Sequence, residues 1–290
     1  MSAAAARPAA IDTRPYAGRV VALLTQHGKE TLAGALTDGL GCIVERATGV
    51  DTDTLGTFTR DVPRTTSALE AARAKARMAC ALHGTPLGLG SEGSFGLDPA
   101  LGLLPWNHEL VLLHDAQRGI EVVGRASGGA CWGHARVRTW ADADAFAHRF
   151  GFPSHAMVVR PDASDDPRIA RDLFDTRALR AAFDAAHAVA DGGWVSIEVD
   201  GRAHANPTRQ GVIRAAMADL AARLACACPA CGMPGFGDAG PVPGLPCGGC
   251  DRPTPRARAR RHACVACDHA DERNVDNPWA DPEDCPACNP

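Results

Sequence analysis

The chain has 290 residues, 46% of them hydrophobic, so it can bury a full core and hold more than one domain. Its formal net charge of −4 argues against a general attraction to nucleic acids or anionic membranes. No apolar run approaches the ~18 residues of a membrane helix. Residues 1–17 lack the apolar segment of a secretory signal, so we expect a disordered Ala/Pro tail there.

The first element after the tail is an apolar run, Arg19–Thr25, which predicts a strand buried on both faces. A turn containing Gln26 and Gly28 follows, and Lys29 opens the next helix. Such an arrangement can bind phosphate through backbone N–H groups and the helix dipole. Only two of the thirty basic residues are lysines, Lys29 and Lys75. We interpret both as sites that need a compact ammonium, with chance retention as the alternative.

The stretch from Ser67 to Gly96 predicts a helix, a break and a buried strand. Ser67 and Glu70 form a capping-box pattern, and strong helix formers follow them. The strand carries Glu92 among glycines and serines at its end, where ligands bind in open α/β sheets. Its carboxylate is a candidate Mg²⁺ ligand. The alternative is an ordinary helix, turn and strand with a solvated glutamate.

The later part of the chain alternates strands and helices. The pattern predicts strands at 108–114, 120–126, 156–161 and 194–200, and helices at 141–150, 166–190 and up to about 225. This order predicts an α/β domain over residues 18–225, with a mixed sheet flanked by helices.

The loop after the strand ending at Asp200 is dense in polar residues. Asn206 is placed as an N-cap, with Pro207 at the first helical position. Arg209 lies in the first turn, where a cation opposes the helix dipole, so we expect it to bind a carboxylate or a phosphate. The alternative is a capped turn in which Asp200 pairs locally with Arg202. The candidate histidines are His155 and His204, and a structural role is the alternative for each.

In the same order along the chain, these motifs resemble those of the inosine and xanthosine triphosphate pyrophosphatases. The resemblance rests on five segments: Thr25-Gln26-His27-Gly28-Lys29 (family T-N-x-x-K), Glu70–Ala76 (E-N-A-x-x-K-A), Ser91-Glu92-Gly93-Ser94 (D-D-S-G), Phe150-Gly151-Phe152-Pro153 (F-G-Y-D-P) and Pro207-Thr208-Arg209 (S-H-R). Two acidic residues of the family pattern are missing, one at the strand end and one in the phenylalanine loop.

The resemblance implies an inosine-triphosphatase-like fold and a Mg²⁺-dependent nucleoside triphosphate pyrophosphatase. Glu70 and Glu92 would hold Mg²⁺, and Lys29 and Lys75 would neutralise the phosphates. The implied ligand-binding residues are Gln26, Phe152 (stacking on a base), His155, Asp200, Arg202, His204, Asn206 and Arg209. Because one acidic group holds Mg²⁺ less well than two, the alternative is a non-catalytic protein that binds a phosphorylated small molecule.

Eight of the twelve cysteines form four CxxC pairs near the C-terminus, which predicts metal thiolates in a reducing cytoplasm. The spacings predict two structural zinc sites taken in sequence order. These are Cys228, Cys231, Cys247 and Cys250 in the first, and Cys264, Cys267, Cys285 and Cys288 in the second. Residues 226–290 would then be a double zinc-ribbon module. An iron–sulfur cluster is the alternative to zinc.

The whole chain is also similar to an uncharacterised bacterial family that joins an α/β domain to such a tail. The segments 202–209, 228–237 and 244–250 carry this resemblance. From Cys226 onward the chain contains six arginines and nine acidic residues, which gives a net charge of −3. Two zinc tetrathiolates would add about −4 more. Despite the basic run at 252–262, we therefore expect a structural or protein-contact role and no nucleic-acid partner.

Overall fold

The computed structural model describes residues 14–25, 28–49, 66–99 and 102–290. The chain divides into two compact units, an N-terminal unit (18–221) and a C-terminal unit (222–290 together with the segment before residue 18). The predicted disordered tail lies outside the described residues up to residue 13. Residues 14–17 form a turn whose Tyr16 side chain is buried, at 1% exposed. No helix in the described part of the chain is both long and apolar enough to span a membrane.

The N-terminal unit contains a mixed five-stranded sheet in the order β2-β1-β3-β4-β5. β1 (Val20–Leu24) pairs in parallel with β2 (Ile43–Ala47) and with β3 (Leu87–Leu97). β4 (Pro105–Asp115) and β5 (Ile120–Gly129) continue the sheet as antiparallel strands. The interior strand β1 is buried along most of its length, as its apolar run predicts.

Four helical segments accompany this sheet. A 3-10 turn (Lys29–Leu32) and α1 (Gly34–Leu40) connect β1 to β2. α2 (Ala68–His83) precedes β3, and α5 (Pro207–Ala225) closes the unit. The capping box at the start of α2 is present as predicted.

α2 lies unusually close to β3 because both present small residues. Ala72 and Ala76 are fully buried on the helix, and Gly88 and Gly90 face them from the strand. A Cβ at Gly90 would lie 1.8 Å from the carbonyl oxygen of Ala72, and one at Gly88 would lie 2.0 Å from that of Ala76. The glycines are therefore needed for the close helix–strand approach.

We expect Gly90→Ala to destabilise the N-terminal unit by about 1–3 kcal/mol, because the added methyl overlaps helix backbone that cannot move without repacking. Urea denaturation measures the change. Gly96→Ala on the same strand is the matched control, since nothing lies within 4 Å of its Cβ position. Equal stability of the two variants would contradict the close packing.

A second sheet completes the N-terminal unit. β6 (His134–Val137), β9 (Val195–Val199), β7 (Met157–Pro161) and β8 (Ala170–Leu173) form four antiparallel strands in that order. α3 (Trp140–Arg149) and α4 (Thr176–Val189) contribute to its core.

The second sheet corrects the prediction of a single mixed sheet. It also corrects the helix predicted over 166–190, because residues 170–173 form β8 instead. The helix starts later because the Asp175 side chain accepts a hydrogen bond from the backbone N–H of Ala178 and caps α4. Pairing of β8 with β7 satisfies backbone groups upstream of that cap.

The C-terminal unit is built on a small antiparallel sheet. β11 (Ala257–Ala263) is central, between β10 (Gly237–Pro243) and β12 (Ala270–Asn274). Each strand connects one CxxC pair to the next along the chain.

Candidate functional site

The eight CxxC cysteines form two groups that interleave along the chain. The first contains Cys228, Cys231, Cys264 and Cys267, and the second contains Cys247, Cys250, Cys285 and Cys288. The predicted grouping in sequence order is therefore wrong: the first pair joins the third, and the second joins the fourth. There is no separate ribbon for each half of the module.

The small sheet explains the interleaving. β10 and β11 are antiparallel, so the start of β10 (Gly237) lies opposite the end of β11 (Ala263). Ala263 also lies opposite Ala270, at the start of β12. The chain segments carrying the first and third CxxC pairs thus meet at one end of the sheet. The other two pairs follow the opposite ends of the strands.

The sulfur positions fit a tetrahedral metal. The Sγ atoms of Cys231 and Cys264 are 3.6 Å apart, and those of Cys228 and Cys267 are 3.9 Å apart. In the second group the corresponding distances are 3.8 Å (Cys247–Cys288) and 3.7 Å (Cys250–Cys285). Four sulfurs bound at about 2.3 Å to one Zn²⁺ lie about 3.8 Å from one another, far longer than a disulfide bond of about 2.05 Å. Both groups could therefore hold zinc.

The arginines of the basic run are largely paired with acidic side chains. Arg256 contacts Asp284 at 2.6 Å, and Arg258 contacts Glu272 at 2.9 Å. Arg260 forms an ion pair with Asp238 across β10 and β11. These three guanidinium groups therefore already have carboxylate partners within the module.

In the N-terminal unit, the five-stranded sheet presents two chemically different faces. Glu92, Leu110 and Arg125 lie opposite one another on β3, β4 and β5 and so share a face. Leu110 packs with the buried alanines of α2, so this is the α2 face. The residues next to these along each strand lie on the opposite face of the sheet. Gly124 is one of them, and a Cβ on it would lie 2.4 Å from the backbone of α5, so we call this opposite face the α5 face.

The α2 face carries a cavity of about 540 Å³ beside the start of α2. Its lining residues are Ala68, Glu92, Gly93, Ser94, His108, Glu109, Leu110, Arg125, Ala126 and Ser127. At its edge, Lys75 of α2 forms an ion pair with Glu92, and both side chains are nearly buried. Arg125 is exposed and forms no ion pair with any other described residue.

The α5 face carries a buried ion pair between Arg209, for which a carboxylate or phosphate partner was expected, and Glu109, which the sequence did not identify as that partner. The Glu109 carboxylate accepts a hydrogen bond of 2.7 Å from Arg209 Nε, and the two side chains are 0% and 1% exposed. Gly93 lies opposite Glu109 and leaves room for it, since a Cβ there would overlap the carboxylate. Glu109 therefore lines the α2-face cavity through its backbone, while its carboxylate lies on the other face.

Lys29 lies near the Glu109–Arg209 ion pair, on the α5 face. Its Nζ donates to Ser91 Oγ at 3.1 Å and to the Ser91 carbonyl at 3.2 Å. Ser91 lies in register with Val111 and Gly124, so its side chain is on the α5 face. Burial, reinforced by the charge of Arg209, lowers the pKa of Lys29 from 10.5 to about 8.

This pKa shift predicts a pH dependence of stability. Between pH 8 and 10.5 the unfolded lysine keeps its proton while the folded one has lost it, so stability rises with pH. We expect wild type to gain about 1 kcal/mol over Lys29→Met between pH 7 and pH 9. Urea denaturation of both proteins at each pH measures the difference. Parallel pH profiles would contradict the shift.

The predicted catalytic residues are brought together only in part. Lys29 and Lys75 both reach β3 at adjacent residues, Ser91 and Glu92, but on opposite faces, so they do not form the single expected phosphate pocket. Glu70 does not join Glu92. Its carboxylate is exposed and accepts hydrogen bonds from the backbone N–H (3.1 Å) and Oγ (2.8 Å) of Ser67, which lower its pKa. The Glu70 carboxylate, which the resemblance assigned to Mg²⁺, therefore caps α2 instead.

Two other implied ligand residues have different outcomes. Phe152 is 6% exposed and lies in the core of the second sheet, so its ring packs against protein side chains, and base stacking stays a prediction of the resemblance. The side chain is buried because α3, α4 and the second sheet pack around it. Gln26 lies outside the described residues.

In the loop after β9, the structure shows the local pairing that was the alternative. Asp200 is fully buried and binds the Arg202 guanidinium at 2.6–3.1 Å. Arg202 also donates to Asp172 at 2.7 Å, and His204 contacts the same carboxylate at 2.8 Å. The sequence did not identify Asp172, which lies about thirty residues upstream on β8.

The start of α5 follows the prediction. Asn206 Oδ1 accepts a hydrogen bond of 3.0 Å from the backbone N–H of Arg209, so it caps the helix before Pro207. His155 Nε2 is 2.9 Å from Thr208 Oγ1, and burial lowers the pKa of His155. His155 and His204 thus each have a partner within the protein, Thr208 and Asp172 respectively.

Sequence reasoning missed Glu109 and Arg125. Each is a single charge within an alternating strand, where a solvated side chain is the usual outcome. The only available signal was Gly93, whose missing side chain leaves room for the Glu109 carboxylate. This signal can be recognised only when the pairing of Gly93 with Glu109 is known.

Comparison with known proteins places the chain in a family without assigning it a function. No curated protein and no solved structure matches it. The resemblance to triphosphate pyrophosphatases thus gains no support from these comparisons. A family model described as "Domain of unknown function (DUF6671)" matches residues 75–290, which is more than half of the chain and includes both cysteine groups. The chain therefore belongs to the DUF6671 family.

Proposed function

We propose that this protein binds a phosphorylated small molecule in its N-terminal unit and that two structural zinc ions stabilise its C-terminal unit. The zinc assignment is supported by the sulfur–sulfur distances of 3.6–3.9 Å, which equal the edges of a zinc tetrathiolate. All four ligands are cysteines in each group, so neither site has an open position for catalysis.

The observation that carries the ligand assignment is the exposed Arg125 in the α2-face cavity, whose guanidinium forms no ion pair with the described residues and whose backbone N–H donates to Asp219 at 2.8 Å. An arginine binds phosphate oxygens through two parallel hydrogen bonds. His108, Ser94 and Ser127 add donors in the same cavity, and its volume of about 540 Å³ suits a nucleotide-sized molecule. The start of α2 adds the positive end of a helix dipole.

Binding is favoured over hydrolysis because the described lining of the cavity lacks the acids for a magnesium site. Glu92 is the single carboxylate that the cavity lining directs to this face, and Lys75 already neutralises it. Glu109 is directed to the α5 face, and Glu70 caps its own helix. Mg²⁺ normally requires one or two available carboxylates together with substrate oxygens. The cavity residues that the structure describes do not fit this ion.

Thermal unfolding of the purified protein against nucleotides, pyrophosphate and inorganic phosphate tests the proposal. A ligand at 100 times its Kd should stabilise the folded state by about 2.7 kcal/mol. We expect Arg125→Met to abolish this stabilisation and Arg177→Met, an exposed arginine on α4, to retain it. Equal stabilisation of the two variants would contradict the assigned cavity.

A nucleoside triphosphate pyrophosphatase with an inosine-triphosphatase-like fold is the second candidate. The observation in its favour is that Lys75 and Glu92, two residues of the family resemblance, meet at the cavity edge. Pyrophosphate release, measured across a nucleotide panel with Mg²⁺ present, separates the two candidates. Stabilisation by a nucleotide without release supports binding alone.

A further inference from the structure

The second cysteine group carries an exposed tryptophan on a well-anchored segment. Trp279 is 48% exposed. Its neighbour Ala280 is buried and donates its N–H to the Pro246 carbonyl at 2.7 Å. The Ala280 carbonyl accepts from the Gly248 N–H at 2.9 Å. These two hydrogen bonds attach the tryptophan segment to the turn that contains Cys247 and Cys250.

Packing reinforces this attachment. A Cβ on Gly248 would lie 3.6 Å from the Trp279 Cβ, and one on Gly249 would lie 3.3 Å from Pro282. The segment from Trp279 to Pro282 therefore rests on the cysteine turn. A large aromatic side chain held in this way loses little conformational entropy when a partner binds it, which is typical of interface hot spots.

The charge around Trp279 is strongly negative. The segments 244–256 and 276–290, which carry the second cysteine group, contain two arginines and five acidic residues, a net charge of −3. Asp276, Asp281 and Glu283 are exposed and lie within four residues of Trp279. A zinc tetrathiolate, which rests on the proposed function, would add about −2.

Trp194, a partly exposed tryptophan of the N-terminal unit, has arginine side chains over its ring. It is 37% exposed, and the guanidinium groups of Arg136 and Arg138 lie 5.2 and 5.4 Å from its ring centre. Within the fully described segment 222–290, no arginine lies over Trp279. An electron-rich indole surrounded by acids is complementary to a cation.

We propose that Trp279 and the acidic residues Asp276, Asp281 and Glu283 form a docking surface for a lysine- and arginine-rich segment of a partner protein. The cationic side chains would stack on the indole face and pair with the surrounding carboxylates. Electrostatic complementarity would speed the encounter and select basic over acidic partners.

Fluorescence anisotropy with the full-length, zinc-loaded protein tests this surface. The probe is a labelled twelve-residue peptide that alternates lysine or arginine with glycine, and the control peptide has glutamate at every basic position. We expect the basic peptide to bind and salt to weaken it. Trp279→Ala should weaken binding about 2- to 30-fold, and Trp194→Ala should leave it unchanged. Asp276→Asn combined with Glu283→Gln should weaken binding and reduce its salt dependence.

Zinc content and thermal unfolding of each variant identify any that fail to fold, and Trp279→Phe serves as a second, conservative variant with intermediate binding expected. The proposal is overturned if the basic peptide binds no better than the glutamate peptide. It is also overturned if folded Trp279→Ala binds as tightly as wild type, or if Trp194→Ala loses as much affinity. Because zinc content is measured separately, loss of the zinc assignment and loss of the docking surface give different results.

Discussion

Replacing Cys228 and Cys264 together with serine should leave about one zinc ion per chain, whereas replacing Cys228 and Cys247 together should leave almost none. The reason is the interleaved grouping, in which Cys228 and Cys264 belong to one site and Cys247 belongs to the other. A site with three sulfur ligands binds zinc far more weakly, and structural zinc supplies about 10–16 kcal/mol of apparent binding energy.

Zinc per chain, measured by atomic spectrometry after dialysis, distinguishes the two groupings. Cys226→Ser is the matched control, because this exposed cysteine lies beside the first pair and outside both groups. We expect it to retain both ions. If the Cys228 and Cys247 variant keeps more zinc than the Cys228 and Cys264 variant, the sites are grouped in sequence order and the interleaved arrangement is wrong.

Arg209→Met should destabilise the N-terminal unit by about 3–5 kcal/mol, because it leaves the Glu109 carboxylate buried without its cation. Arg209 also donates to the Gly201 carbonyl at 2.7 Å, and that acceptor would lose its partner. Urea denaturation of the variant and of wild type at pH 7 measures the loss.

Two further variants separate the ion pair from general effects of losing an arginine. Arg77→Met removes an exposed arginine that contacts Glu121 at 3.2 Å, and we expect a change below about 1 kcal/mol. The double variant Glu109→Gln with Arg209→Met should recover part of the lost stability, since no buried carboxylate is left without its guanidinium partner. A double variant less stable than Arg209→Met alone would argue against an uncompensated carboxylate as the cause.

Features that depend on residues close together in the chain were predictable. The capping box of Ser67 and Glu70 spans three residues, and so does the Asn206 cap over Arg209. Each CxxC pair likewise places two sulfurs near each other within one turn. Short-range hydrogen bonds and turn geometry decide these features, so the residue pattern alone was enough to recognise them.

Features that depend on pairing between distant segments were not predictable. Glu109 and Arg209 are 100 residues apart, and their contact depends on the register of β3 and β4 and on the position of α5. Lys29 and Lys75 fall on opposite faces because adjacent strand residues alternate, so the two lysines of the chain do not share one pocket. A separate second sheet, formed partly where a helix was expected, has the same origin.

The sequence by itself determined that this protein has an α/β part, eight paired cysteines able to bind metal, and a well-capped final helix. The tertiary structure alone decided which cysteine pairs share a site, which acid neutralises Arg209, and which face of the sheet carries the cavity. The physical reason is that composition and local spacing set the ligands available. Strand direction and register, which arise from the cooperative packing of the whole chain, determine which of those ligands meet.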